Sequence, residues 1–120
     1  MTPAQMKART KRYALCIIEL AGSLPRHYVV DCIGRQLVRS GTSVGANYRA
    51  ACRAKSAADF IAKLKIVEEE ADEALYWMEL LRECRFVQPK PAELGKLMVE
   101  GDEIVSIVVA SIKTKRDQNE

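Results

Sequence analysis

Histidine is nearly absent from this sequence: His27 is the only one in 120 residues, beside one tryptophan and two phenylalanines. A single imidazole rules out the paired Glu-x-x-His motifs of a di-iron bundle. It also leaves any Ser-His-Asp or Cys-His arrangement hanging on one residue at an expected helix start, where an exposed or capping role is the ordinary one. No apolar run reaches the roughly 18 residues of a membrane span, and the basic start is not followed by the apolar core and cleavage site of a secretory signal. The expected setting is cytoplasmic, with no membrane partner. Cys16, Cys32, Cys52 and Cys84 are spaced by 16, 20 and 32 residues with no C-x-x-C pair. In a reducing compartment they read as small core or interface residues, not as a disulfide framework or zinc site. The run Gly41-Thr42-Ser43-Val44-Gly45 lacks the spacing and Lys-Ser/Thr end of a phosphate-binding loop. No catalytic, cofactor or metal site is expected, and the chain reads as non-enzymatic.

What the sequence does contain is 48% hydrophobic and 29% charged residues over 120 positions, enough for one globular domain spanning 1–120. The net charge of +3 conceals an asymmetry. Residues 1–55 carry ten basic and two acidic side chains, while residues 56–120 carry nine basic and fourteen acidic.

Proline occurs only at positions 3, 25, 89 and 91. Gly22-Ser23-Leu24-Pro25-Arg26 and Gln88-Pro89-Lys90-Pro91 therefore read as connections. The proline-free middle would make a single helix roughly 90 Å long, so it must fold back. Ser56-Ala57-Ala58-Asp59 is the favoured place, because serine caps a helix and an acid suits its first turn. Apolar residues at helical spacing then mark four helices, at about 4–22, 27–54, 57–86 and 92–115. They run through Tyr13, Ile17 and Leu20; Val30, Leu37, Val44 and Tyr48; Leu64, Val67, Ala71 and Met78; and Leu97, Ile104, Val108 and Ile112. The expected fold is all-α, an antiparallel up-down-up-down four-helix bundle. Ile104–Ile112, rich in β-branched residues, is the stretch most compatible with a strand instead.

Three features exceed what a lone bundle needs. Ile66, Trp77, Leu80 and Cys84 form a second apolar stripe on the third helix, and Val105 and Val109 widen the apolar arc of the fourth. Together they are expected to form a homo-oligomer interface, the alternative being that loops or chain ends cover them. Gly34, Gly41 and Gly45 each cost about 1 kcal/mol in a helix relative to alanine. They are expected to let a neighbouring helix approach closely, with Asn47 bonding across the bundle or to a backbone carbonyl; a helix break near Gly41 is the competing reading. Arg35, Arg39, Arg49 and Arg53 fall within about 80° on the second helix, opposite its apolar face, with Lys55 just beyond. Such a line suits the phosphates of RNA or another nucleic acid. Alternatively the line is a solvated helix face, or the arginines pair with the acidic run Glu68–Glu73 of the same chain or a neighbour. The second functional reading is a scaffold whose apolar stripes and acidic helix recruit a protein partner. No aromatic interleaving of the single-strand-binding kind is visible along this line.

The run Arg39-Ser40-Gly41-Thr42-Ser43-Val44-Gly45-Ala46-Asn47-Tyr48, followed by Ala50-Ala51, resembles the signature of a bacterial family. Its members are small four-helix-bundle proteins related to those encoded in intervening sequences of 23S ribosomal RNA genes. Ala58-Asp59-Phe60-Ile61-Ala62-Lys63-Leu64 and Glu73-Ala74-Leu75-Tyr76-Trp77-Met78-Glu79-Leu80-Leu81 look like its companion block. The resemblance implies an antiparallel four-helix bundle assembling as a homopentamer, with no catalytic activity assigned. It further implies a distant likeness to accessory bundle proteins of diversity-generating retroelements, which bind nucleic acid and a reverse transcriptase through basic surfaces. Where family members often carry Asn followed by Ile-Ala-Glu-Gly, this chain has Asn47 followed by Tyr48-Arg49-Ala50-Ala51.

Overall fold

The computed structural model describes residues 1–118, and among them are four α-helices: α1 (Pro3–Gly22), α2 (Tyr28–Ala51), α3 (Ala57–Glu83) and α4 (Leu94–Gln118). Residues 119 and 120, the end of the expected domain, lie outside the described residues. Local chemistry fixes three of the helix starts. Thr2 Oγ1 accepts the Gln5 N–H at 3.1 Å while Gln5 Oε1 accepts the Thr2 N–H at 2.9 Å, a capping box in front of Pro3. His27 Nδ1 accepts the Val29 N–H at 3.1 Å, so the one histidine is a helix cap. Ser56 Oγ accepts the Asp59 N–H at 3.1 Å, where the sequence predicts the fold-back.

Several boundaries differ from the sequence reading by up to three residues; α4, expected at 92–115, runs from Leu94 to Gln118. α2 ends at Ala51, not 54, because the N–H groups of Arg53 and Ala54 turn back onto the carbonyls of Ala50 and Ala51, each at 3.0 Å. Arg53 and Lys55 therefore belong to the α2–α3 turn. α3 ends at Glu83, with Cys84 extended, and Lys90 Nζ donates to the free carbonyls of Leu81 and Cys84 at 3.2 and 2.6 Å.

The register of the packing shows antiparallel neighbours. Along α1 and into the connection that follows it, Thr10, Ile17 and Leu24 lie against Gly45, Gly41 and Gly34 of α2 in reverse order. Phe60 and Leu75 of α3 meet Lys115 and Gly101 of α4. The helices close into a ring in which α1 flanks α2 and α4, and α3 flanks the same two, giving a body of 50 × 21 × 20 Å. The core runs along its axis through Tyr13, Ile17, Leu37, Val44, Leu64, Met78, Leu81, Ile104 and Val108. Val87, from the α3–α4 connection, is also fully buried and was not marked by periodicity. Two buried hydroxyls bond within their own helices, Thr10 to the Met6 carbonyl and Ser40 to the Gln36 carbonyl, both at 2.9 Å.

α2 runs unbroken through all three glycines, and Ile104–Ile112 is helical. A Cβ on Gly41 would stand 2.5 Å from Ile17 Cδ1 and one on Gly45 3.2 Å from Thr10 Oγ1, so these two positions permit the close α1–α2 approach. At Gly34 the same atom would meet Leu24 at an ordinary 3.6 Å, so the close-packing role expected of Gly34 does not apply. Asn47 Nδ2 donates to the Ser43 carbonyl at 2.8 Å, the intrahelical alternative to a bond across the bundle.

Candidate nucleic-acid interface

The structure divides the expected arginine line. Arg39 is drawn towards α3: its guanidinium reaches Glu70 at 3.2 Å, pairs with Glu73, and is steadied by Gln36 Oε1 at 3.1 Å. For this residue the pairing alternative describes the structure, because the acidic run faces α2 at that level. Arg35 is exposed and donates to Cys32 Sγ at 3.8 Å. Arg49, Arg53 and Lys55 are exposed. Among the described residues, no carboxylate side chain lies within ion-pair distance of any of these three.

The fold adds two residues to that set. With Thr10 against Gly45, the antiparallel register puts the Lys7 turn of α1 level with the Arg49 turn of α2. Arg9 points to α4, so Lys7 and Lys11, about 160° and 200° away at 100° per residue, lie on the opposite flank. Both are exposed and unpaired among the described residues. Lys7, Lys11, Arg49, Arg53 and Lys55 thus share one end of the α1–α2 surface. The two acids of α1 and α2, Glu19 and Asp31, sit near the other end. Asp59 is close by, but Lys63 Nζ donates to it at 2.6 Å and the Lys55 N–H at 3.3 Å, and these bonds hold its carboxyl below the usual range. From sequence alone, Lys7, Arg9, Lys11 and Arg12 are scattered around the helix axis and add only to the local potential; the α1–α2 register assigns Lys7 and Lys11 a side.

The six residues expected at an oligomer interface differ in exposure. Ile66 and Val109 are exposed, at 43% and 45%. Trp77, Cys84 and Val105 are half-buried against the core, and Leu80 is half-buried. The half-burial on α3 follows from its packing against both α2 and α4, which covers a wider arc than one stripe. Trp77 Nε1 donates to Glu73 Oε2 at 3.1 Å, which places the indole beside the Arg39 pair on the α2 side.

The loosest seam, between α1 and α4, opens into a groove of about 1110 Å³ whose lining includes Arg9, Arg12, Tyr13, Cys16, Leu97 and Glu100. Arg9 closes one wall with a two-pronged pair to Glu100, both contacts 2.7 Å, and also reaches Glu103. The Tyr13 hydroxyl, sealed inside with no hydrogen-bond partner, has its pKa pushed above the usual phenol range by burial and by the charges of Glu100 and Asp102. Burial, with a hydrogen bond to Cys52, pushes that of Tyr48 up to about 12. Both phenols are held in the neutral form at physiological pH. Among the described residues, no group of three or more His, Cys, Asp or Glu could hold a metal ion, and no helix is long and apolar enough to cross a membrane.

Glu100 carries a pH signature. The hydrogen bond from Arg9 holds its carboxyl below the usual range, outweighing the opposing effect of burial. A carboxylate depressed by folding stabilises the protein fully above its unfolded value of about 4.3, and that contribution is lost as pH falls through the folded value. Glu100→Gln is expected to lower the melting temperature at pH 7 and to show a smaller further drop at pH 3.5 than the parent. Thermal denaturation at the two pH values checks this; parallel drops in both proteins would contradict it.

Comparison with known proteins adds two findings. The chain is similar to a structurally characterised protein of unknown function from the S23 ribosomal protein family of Bacteroides thetaiotaomicron VPI-5482, at 34% identity and a TM-score of 0.82, covering 94% of this chain and 99% of that one. A comparison with curated proteins gives no match. The family model described as 23S rRNA-intervening sequence protein matches residues 4–110, nearly the whole bundle. The chain therefore belongs to the family of 23S rRNA-intervening sequence proteins.

Proposed function

We propose that this protein is a non-enzymatic cytoplasmic homo-oligomer that holds the phosphate backbone of RNA on the α1–α2 surface formed by Lys7, Lys11, Arg49, Arg53 and Lys55. The observation that carries the reading is the pairing pattern. Arg9, Arg39 and Lys63 are neutralised by carboxylates of the same chain, whereas these five exposed cations have no such partner among the described residues. Clustered free cations raise the local potential, and each phosphate they meet releases condensed counterions, which favours binding in a salt-dependent way. The surface offers backbone contact without base readout. Binding of a structured RNA duplex at low ionic strength tests it: retention that fades with added salt supports the reading, and no retention overturns it. Co-purification after nuclease treatment tests the rival reading, a scaffold for a protein partner, which a specific nuclease-resistant protein would favour.

Assembly is part of the proposal. Leu15, Ile18, Ile66, Val99 and Val109 leave large apolar side chains in solvent on three of the four helices, as association surfaces do. The homopentamer implied by the family resemblance is the proposed state. Analytical ultracentrifugation at micromolar concentration is expected to give a species several chains in mass; a monomer would contradict it.

A further inference from the structure

We propose that the end of the bundle where the α1–α2 and α3–α4 connections meet is a stacking platform for unpaired nucleotides. It takes nucleic acid as the ligand class, as proposed above, but does not depend on the α1–α2 cations at the other end. The platform joins His27 and Phe86, 59 positions apart in sequence. The His27 ring lies 4.0 Å from that of Phe86, at 16° between planes, and 5.0 Å from that of Tyr28, at 20°. Tyr28 and Phe86 thus each stack on the central His27 ring in one cluster. Arg85 stands over Phe86, 4.9 Å from the ring centroid.

Exposure separates this cluster from core packing. Tyr28 is 78% exposed, and Phe86 is turned outward although its neighbour Val87 is fully buried. Leaving aromatic rings in water is unfavourable unless something covers them. The Val29 N–H bond to His27 Nδ1 fixes the central ring, so a base that adds to the array orders little of the protein. Every base offers a π-face, and rings set beside arginines are the means by which proteins hold unpaired nucleotides. Arg26 and Arg85 flank the rings in sequence, are exposed, and make no ion pair among the described residues. Asp31 and Glu83 lie within a few residues of the rings, so attraction to phosphate is weaker here than on the α1–α2 surface and stacking dominates.

The test uses the full chain and a ten-nucleotide unstructured RNA carrying 2-aminopurine, with a DNA of the same sequence to show whether the 2′-hydroxyl matters. The parent protein is expected to bind and to quench the 2-aminopurine fluorescence, the signature of a stacked base. Tyr28→Ala is expected to lose roughly 5- to 150-fold in affinity, the range for removing one stacking ring, together with the quench. Tyr28→Phe retains both, and an unchanged thermal melt of Tyr28→Ala shows that the fold is intact. The proposal is overturned if the parent binds neither strand, or if Tyr28→Ala binds and quenches like the parent. Tyr28-dependent binding with no duplex retention would leave the platform standing and remove the backbone-binding surface; duplex retention without it would do the reverse.

Discussion

Replacing Gly41 with leucine is expected to lower the melting temperature by about 12 °C. At this position a bare Cβ would already stand 2.5 Å from Ile17 Cδ1, 3.0 Å from Cγ2 and 3.3 Å from Cγ1. Ile17 is fully buried and cannot swing into solvent, so α1 and α2 must separate or the side chains must leave their rotamers. Overpacking of this kind costs about 3 kcal/mol, and a domain of this size loses about 4 °C per kcal/mol. Helix propensity works the other way by under 1 kcal/mol and does not offset it. The control is Gly95→Ala, where an added Cβ meets nothing within 4 Å and the melting temperature is expected to hold or rise slightly. Circular-dichroism melts at one protein concentration check both. A Gly41→Leu melt within 2 °C or so of the parent would mean that the α1–α2 contact is not the tight one described.

The fold was legible because its signals are local and repeated. Prolines punctuate the two long connections, Ser56 caps where the proline-free middle had to turn, and apolar residues at helical spacing fall on the buried axis. Even the close approach at Gly41 could be read, since a glycine tolerated inside a helix points to a neighbour that needs its space. What could not be read depends on which faces meet. Arg39 looked equivalent to Arg35 and Arg49 on a helical wheel, yet its level on α2 faces Glu70 and Glu73. Arg9, scattered among other cations of α1, is committed to Glu100 across a seam of 91 residues in sequence. The His27–Phe86 stack had no local signal at all, because neither residue is periodic with anything and both sit in or beside connections. Phe86 and Val87 differ only in which way the chain turns them.

The second large effect is expected from reversing the charge of two residues that touch nothing essential to folding. Arg49→Glu together with Arg53→Glu should weaken binding of a structured RNA about 100-fold at low salt, since each charge-assisted phosphate contact is worth about 1.5 kcal/mol or more. Both side chains are exposed and lie outside every ion pair among the described residues, so the melting temperature should stay close to that of the parent. Arg39→Ala separates local charge from overall charge. It removes a cation already neutralised by Glu70 and Glu73, and its effect on RNA affinity should stay within about twofold. Equal losses in Arg39→Ala and the double variant would point to diffuse electrostatics, not to the α1–α2 surface.

The most direct measurement is the slope of RNA affinity against salt concentration on logarithmic axes, taken for the parent, the Arg49→Glu/Arg53→Glu variant and Arg39→Ala. Each phosphate contact contributes about −0.7 to −0.9, so five engaged cations give a parent slope of roughly −3.5 to −4.5. The double variant should be shallower by about 1.4 to 1.8, with Arg39→Ala unchanged. A parent that shows no salt-sensitive retention, or a double variant that keeps the parent slope, would contradict the assignment of this surface to RNA.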